Sequence, residues 1–218
     1  MNRLPYINIH THRKRQANEQ SILSIYDLSP ESALPEHDYV SYGIHPWYIP
    51  ANWESHYSKL QEHWLQPDNL FVGECGFDPN SIHPLSLQET VFVCQAQWAK
   101  KHAMPVILHC VKSIDRIIFH YKRIRPDAPW ILHGFRGNPI QLEQLLHLGF
   151  YVSFGIYHNP ESVTLCPPDR FYLETDDSPV PISDVYQQIA EIRKCSLQQL
   201  IIQQTENTHR ILKKRHHA

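Results

Sequence analysis

Short apolar runs that close on a histidine or an acid constrain this chain more than any other feature. PVILH ends at His109 and PWILH at His133. INIHTH carries His10 and His12, VGE closes on Glu74, and FYLETD closes on Asp176. With these, eight short apolar or β-branched runs read as strands: Tyr6–Asn8, Ile22–Tyr26, Tyr39–Tyr42, Leu70–Gly73, Pro105–Leu108, Trp130–Leu132, Tyr151–Phe154 and Arg170–Leu173. Between the later runs the apolar residues recur at helical spacing. The helical segments are Asn52–Gln66, Ser86–His102, Ser113–Arg125, Pro139–His147, Ser183–Arg193 and Ser196–Lys214. Asn52, Ser86, Ser113, Asn138 and Ser196 are placed to cap them.

Strands that alternate with helices imply a parallel sheet, and eight units imply a TIM-type (β/α)8 barrel. A doubly wound open sheet is disfavoured, because no glycine-rich phosphate loop follows the first strand. Two connections are too short for a full unit, Arg13–Ser21 and Leu28–Asp38, and the second contains Pro30 and Pro35. The expected barrel is therefore trimmed in its first two βα connections. At 218 residues, with no repeat or linker, one domain over 1–218 is the simplest organisation. The basic tail Lys213–Ala218 is expected to fray.

Bulk charge narrows the function classes. The chain carries a net −2 with a pI near 6.8, so it lacks the basic balance of a dedicated duplex-DNA binder. That does not exclude a nuclease, because metal ions bring their own positive charge. Five scattered cysteines without a C-x-x-C pair suggest reduced thiols rather than a disulfide framework or zinc ribbon. The N-terminus has no signal-peptide apolar run, and no window is apolar enough for a membrane span. These features suggest the cytoplasm, with no membrane and no obligatory protein partner.

Sixteen histidines remain to be explained. His10 and His12 lie two apart on a strand, so both imidazoles point to one face. Each of the other strand-end residues, taken singly, reads as readily as a salt-bridged acid or a hydrogen-bonded structural histidine. Their joint placement is different. Glu74, His109, His133 and Asp176 join the histidine pair at the C-terminal ends of five strands, the face on which (β/α)8 enzymes carry their sites. Six ligands exceed one tetrahedral ion, so two divalent ions bridged by a carboxylate fit better. Imidazoles with carboxylates suit zinc, manganese or nickel, and magnesium stays open. His45, in YGIHP, is either a substrate or phosphate contact or a loop histidine packed on Trp47. Lys112 and Arg136 follow ligand histidines and are placed to hold an anionic substrate. Arg13, Lys14 and Arg15 read equally as phosphate contacts or as a solvated loop. Cys110 follows His109 but has no evident base, which favours a buried strand-end thiol.

Taken in order, INIHTH, YGIHP, VGECGFD, PVILHC, ILHGFRG and LETDDSP resemble the TatD family of metal-dependent hydrolases, the TatD-type deoxyribonucleases. The resemblance implies a TIM barrel with a divalent-metal centre. By position it implies that His10, His12 and Asp176 bind the first metal, that Glu74 bridges, and that His109 and His133 bind the second. It sets His45, Glu174 and Asp78 close to the site. Two departures stand out: Asn8 where the family has Asp, and Lys112 where Arg is common. The expected reaction is hydrolysis of a phosphodiester at nucleic-acid ends, with Asp176 and Glu74 as catalytic carboxylates. A two-metal amide, ester or lactone hydrolase is the alternative, and a non-catalytic binding protein on a degenerate barrel is a third.

Overall fold

The structure, a computed structural model, describes residues 4–25 and 38–215. It contains eight strands: β1 (Tyr6–Thr11), β2 (Glu19–Ile25), β3 (Tyr39–Tyr42), β4 (Asn69–Phe77), β5 (Val106–Cys110), β6 (Trp130–Leu132), β7 (Tyr151–Phe154) and β8 (Phe171–Leu173). The helices are α1 (Trp53–Trp64), α2 (Leu85–Lys101), α3 (Ile114–Ile124), α4 (Pro139–Leu148), α5 (Pro160–Leu165), α6 (Ile182–Arg193) and α7 (Leu197–Arg215). The strands form one sheet in chain order, β1 through β8. With helices between the later strands, this is the (β/α)8 barrel order. No described helix is long and apolar enough to cross a membrane.

The chain divides into two compact units. One holds described residues 4–23, 38 and 132–215, and the other holds 24–25 and 39–131. In the first, β1 meets β8: the Asp176 amide donates to the His10 carbonyl and the His12 amide to the Asp176 carbonyl, both at 3.1 Å. Buried Ile7, Ile9, Val152, Phe154, Phe171 and Val185 supply its core. Tyr186 of α6 clamps β1, its hydroxyl donating to the Ile7 carbonyl and accepting from the Ile7 amide, each at 3.0 Å. Helix α4 is specified locally. Asn138 and Gln141 form a reciprocal capping box, Pro139 starts the helix, and Gly149 ends it at φ 98°.

In the second unit β4 pairs in parallel with β3 and β5. Here the structure corrects the sequence reading. Glu74 does not end a strand: β4 runs on through Phe77. Gly73 and Gly76 look like breakers, yet both sit inside the strand at φ 129° and 150°. An added Cβ would stand 2.3 Å from the Ile107 carbonyl oxygen at Gly73 and 1.9 Å from that of His109 at Gly76. The glycines let β5 approach, and the register shifts between Val72 and Cys75.

Other expectations hold unevenly. The first connection is short and contains no helix among residues 12–18. The second, Leu28–Asp38 with Pro30 and Pro35, lies outside the described residues apart from Asp38, as do His216 and His217. Asn52 and Ser113 precede their helices without a side-chain cap. Ser86 lies within α2, which starts at Leu85 after Pro84 and has no side-chain cap. Ser196 caps as expected, accepting from the Gln199 amide at 3.2 Å. The tail is helical through Arg215 rather than frayed from Lys213. Helix α5 escaped the sequence reading, because six residues carry too little periodicity to register.

Candidate metal centre

The first unit brings together three groups spread over 166 positions of sequence. His10, His133 and Asp176 each offer a ligand atom within 4.8 Å of the others. Asp176 Oδ1 lies 3.6 Å from His10 Nε2 and 3.5 Å from His12 Nε2. The His10 and His133 rings lie 4.5 Å apart between centroids. His10 is fully buried, whereas about a third of the Asp176 side chain reaches solvent. Glu174 stands behind His133, with Oε1 3.5 Å from Nδ1. The Ser153 hydroxyl, which the sequence reading missed, donates to its other oxygen.

A network beneath this cluster sets the β1–β8 register. Asn8 Nδ2 donates to Glu19 Oε1 at 2.6 Å and to Thr175 Oγ1 at 2.8 Å. Its Oδ1 accepts from the Thr175 amide at 3.1 Å. Thr11 Oγ1 accepts from Thr175 Oγ1 and donates to the Asp176 carbonyl. Asn8 thus uses both ends of its amide, and the buried carboxylate here belongs to Glu19 on β2.

The second unit holds His45, Glu74 and His109, again with ligand atoms within 4.8 Å of one another. His109 Nδ1 lies 2.6 Å from Glu74 Oε1, and its Nε2 lies 3.2 Å from Asp78 Oδ2. Nδ1 is therefore the nitrogen that faces the cluster, while Asp78 orients the ring from behind, as carboxylates do for metal-ligating histidines. Asp78 also accepts the Trp47 indole N–H at 2.8 Å. Burial pushes the Asp78 carboxyl up, but bonds from the Asn80 amide, His109 and the Trp47 indole outweigh it and hold the group below its ordinary range.

His45 plays a different part. The Trp47 amide donates to His45 Nδ1 at 3.1 Å, so a neutral His45 carries its proton on Nε2. That nitrogen lies 3.2 Å from Glu74 Oε1 and 3.1 Å from His109 Nδ1. It faces the cluster as a donor rather than as a lone pair, which suits a contact to a carboxylate or to substrate better than metal ligation.

Two buried glutamines hold this half of the site. Gln95 accepts from the Ile44 amide at 2.8 Å and donates to the Ile44 carbonyl at 3.2 Å. Gln88 does the same for Asp78, accepting at 2.9 Å and donating at 3.0 Å. They stand seven residues apart, two turns of α2, so one helix face holds the backbone beside His45 and the backbone of Asp78.

The remaining sequence candidates fall further out. Arg136 is exposed, stacked over Tyr157 at 5.0 Å, and lines a small pocket with Glu174 and Asp176. Lys112 is exposed in the loop after β5 at φ 48°, and no described contact ties it to the cluster. Arg13 donates through Nε to the Asp177 carbonyl at 2.7 Å, and Arg15 pairs with Asp38 at 3.0 Å. Cys110 is half-buried rather than buried. Burial pushes the thiols of Cys75 and Cys166 up, the latter to about 12, so neither is a ready nucleophile.

With this geometry in place, comparison with known proteins is decisive for the family. Residues 8–213 match the family described as TatD related DNase. The chain belongs to that family. One curated TatD relative, a "3'-5' ssDNA/RNA exonuclease TatD" from Rahnella sp., is 31% identical over 155 residues, covering 65% of this chain and 58% of the relative. A second relative of that name, from Klebsiella pneumoniae, is 30% identical over 62% of this chain and 55% of its own length. The chain thus spans little more than half of these two. The YabD protein of Bacillus subtilis, named an uncharacterized metal-dependent hydrolase, is 26% identical over 83% of this chain and 80% of its own. The solved TatD homologue YJJV from Escherichia coli K12 superposes with a TM-score of 0.81 at 22% identity, covering 94% and 97% of the two chains. A TatD family hydrolase from Entamoeba histolytica gives 0.78 at 12% identity, covering 96% and 98%. These likenesses bear out the TIM-barrel fold.

Proposed function

We propose that this chain is a divalent-metal-dependent phosphodiesterase that trims single-stranded nucleic acid from an end, and that it works as one hydrolase domain across residues 1–218. The observation that carries the reading is the pair of histidine–carboxylate clusters in a TatD chain. The donor sets fit metal: imidazole nitrogens and carboxylate oxygens converge, and carboxylates stand behind His109 and His133. His10, His12, His133 and Asp176 would hold one ion, and His109 with Glu74 another, with zinc, manganese, nickel and magnesium as candidates. When bound, such ions supply hydroxide near neutral pH and positive charge for phosphate oxygens.

The protein's own groups complete the chemistry. Asp176 is partly exposed, with Oδ1 3.6 Å from His10 Nε2 and 3.5 Å from His12 Nε2, and is placed to accept a proton from the attacking water. Glu74, buried and hydrogen-bonded to His109, fixes that ring. His45 offers Nε2–H to a phosphate oxygen. Arg136, over the Tyr157 ring, has guanidinium donors for a neighbouring phosphate. Relatives named as 3'-5' exonucleases of single-stranded DNA and RNA support this substrate class over a small ester or lactone. Five cysteines, none in a described disulfide, support a reducing cytoplasmic setting.

The test is turnover of a 5'-labelled single-stranded oligonucleotide by metal-loaded protein, beside a panel of esters and lactones. Asp176→Ala should lower kcat on the oligonucleotide by at least a hundredfold. Oligonucleotide left intact by the wild type, with a lactone or ester hydrolysed instead, would move the chain to the alternative class.

A further inference from the structure

In the second unit, lined by none of His45, Glu74 and His109, an open cleft of about 800 Å3 lies between helices α2 and α3. Val93 and Ile124 line it with apolar surface, and Lys100, Lys101 and Arg123 give it positive charge. Its one acid, Glu89, is already engaged: Oε1 lies 3.0 Å from His120 Nε2 and Oε2 lies 3.5 Å from the Arg116 guanidinium. Lys101 and Arg123 have no acidic partner among the described residues. Phe119 is 51% exposed at the cleft, and the Arg123 guanidinium lies 5.2 Å from its centroid.

The charge is local. Residues 85–125 contain seven Lys and Arg against two acids, a net +5 in a chain whose total is −2. The rest of the molecule therefore carries −7, so this stretch stands out against a negative balance and favours approach of a polyanion. Clustered cations beside an exposed aromatic ring match what single-stranded nucleic acid needs. Phosphates pair with the cations, and a base stacks on the ring.

We propose that the α2–α3 cleft is an exosite for single-stranded nucleic acid, holding the strand away from the end being cleaved. The choice of polyanion rests on the function proposed above. Gln88 near the start of α2 holds the Asp78 backbone beside the second cluster, and at 1.5 Å per residue Lys101 lies about 20 Å further along the helix. The exosite should therefore matter for long strands and not for a dinucleotide.

The test uses the full chain and a fluorescein-labelled phosphorothioate oligothymidylate of twelve nucleotides, which resists cleavage. Anisotropy titrations are run from 50 to 200 mM salt. The Lys101→Glu/Arg123→Glu double variant should bind at least tenfold more weakly. Its slope of log affinity against log salt should fall by about 1.4, at about 0.7 per lost phosphate contact. Phe119→Ala should weaken binding about fivefold or more and leave the slope unchanged, which separates stacking from charge. Polyglutamate at equal charge should not displace the oligonucleotide. Unchanged affinity in the double variant overturns the proposal, and so does equal displacement by polyglutamate, which would mark a generic acidic-protein surface. These titrations need no turnover, so failure of the nuclease assignment would appear separately, as intact dinucleotide and oligonucleotide in the cleavage assay.

Discussion

Asn8, which departs from the aspartate that the family resemblance implies, is built into the fold by both ends of its side-chain amide. Its amide donates to Glu19 and Thr175 and accepts from Thr175. An aspartate would keep the acceptor and lose both donors, and it would set a carboxylate 2.6 Å from that of Glu19. Leaving a buried charged acceptor unsatisfied costs on the order of 1–3 kcal/mol or more. Asn8→Asp should therefore lower stability by about that amount in urea titration. Adding Glu19→Gln should restore most of it, because the glutamine amide can donate to the new aspartate. Equal stability of Asn8→Asp and wild type would show that the Glu19 carboxylate adapts or protonates at no cost.

At the scale of elements, α2 joins the second cluster to the fold through Gln88 and Gln95, and α3 packs beside α2 through Glu89. His120 on α3 packs against Phe77 and Phe92, and burial lowers its pKa below the ordinary histidine value. Glu89 opposes that shift, and Arg123 and Arg116 reinforce it. A depressed folded-state pKa means the unfolded chain binds the proton more tightly. The resulting stability is fully present above about pH 6.5, the unfolded value, and is lost as pH falls through the folded one. The melting temperature should thus decline below pH 6.5, and His120→Gln should flatten that part of the profile. Parallel profiles for the two proteins would assign the decline to other groups. The same elements mark what sequence could and could not convey. The apolar period of α2 is plain, and Gln95 falls on its buried face, but its role at Ile44 depends on a residue 51 positions away. The strand reads as ending at Gly73 because the close approach of β5 at Gly73 and Gly76 leaves no trace in local sequence. Strand-end histidines were legible because each follows its own apolar run. The Asn8–Glu19–Thr175 network was not, because it is made by register across β1, β2 and β8.

For the whole molecule, the relevant fact is how far apart in sequence the proposed ligands lie. Asp176 is 166 positions from His10, and Glu74 is 35 from His109. An unfolded chain cannot hold such groups around an ion, so metal affinity belongs almost wholly to the folded state. The fold brings them together by its order: parallel strands in sequence place successive strand ends side by side, and β1 meets β8 where His10 and Asp176 exchange backbone contacts. Ligand binding restricted to the folded state stabilises it by mass action, about 2.7 kcal/mol when free metal reaches a hundred times its Kd. Thermal melts with increasing manganese or zinc should therefore shift upward without a plateau at stoichiometric metal, and EDTA should reverse the shift. Asp176→Ala and His109→Ala should each reduce the metal-dependent rise while changing the EDTA melt much less, since each removes a ligand and only a partly exposed side chain. A rise undiminished in both variants would place the ion elsewhere in the protein.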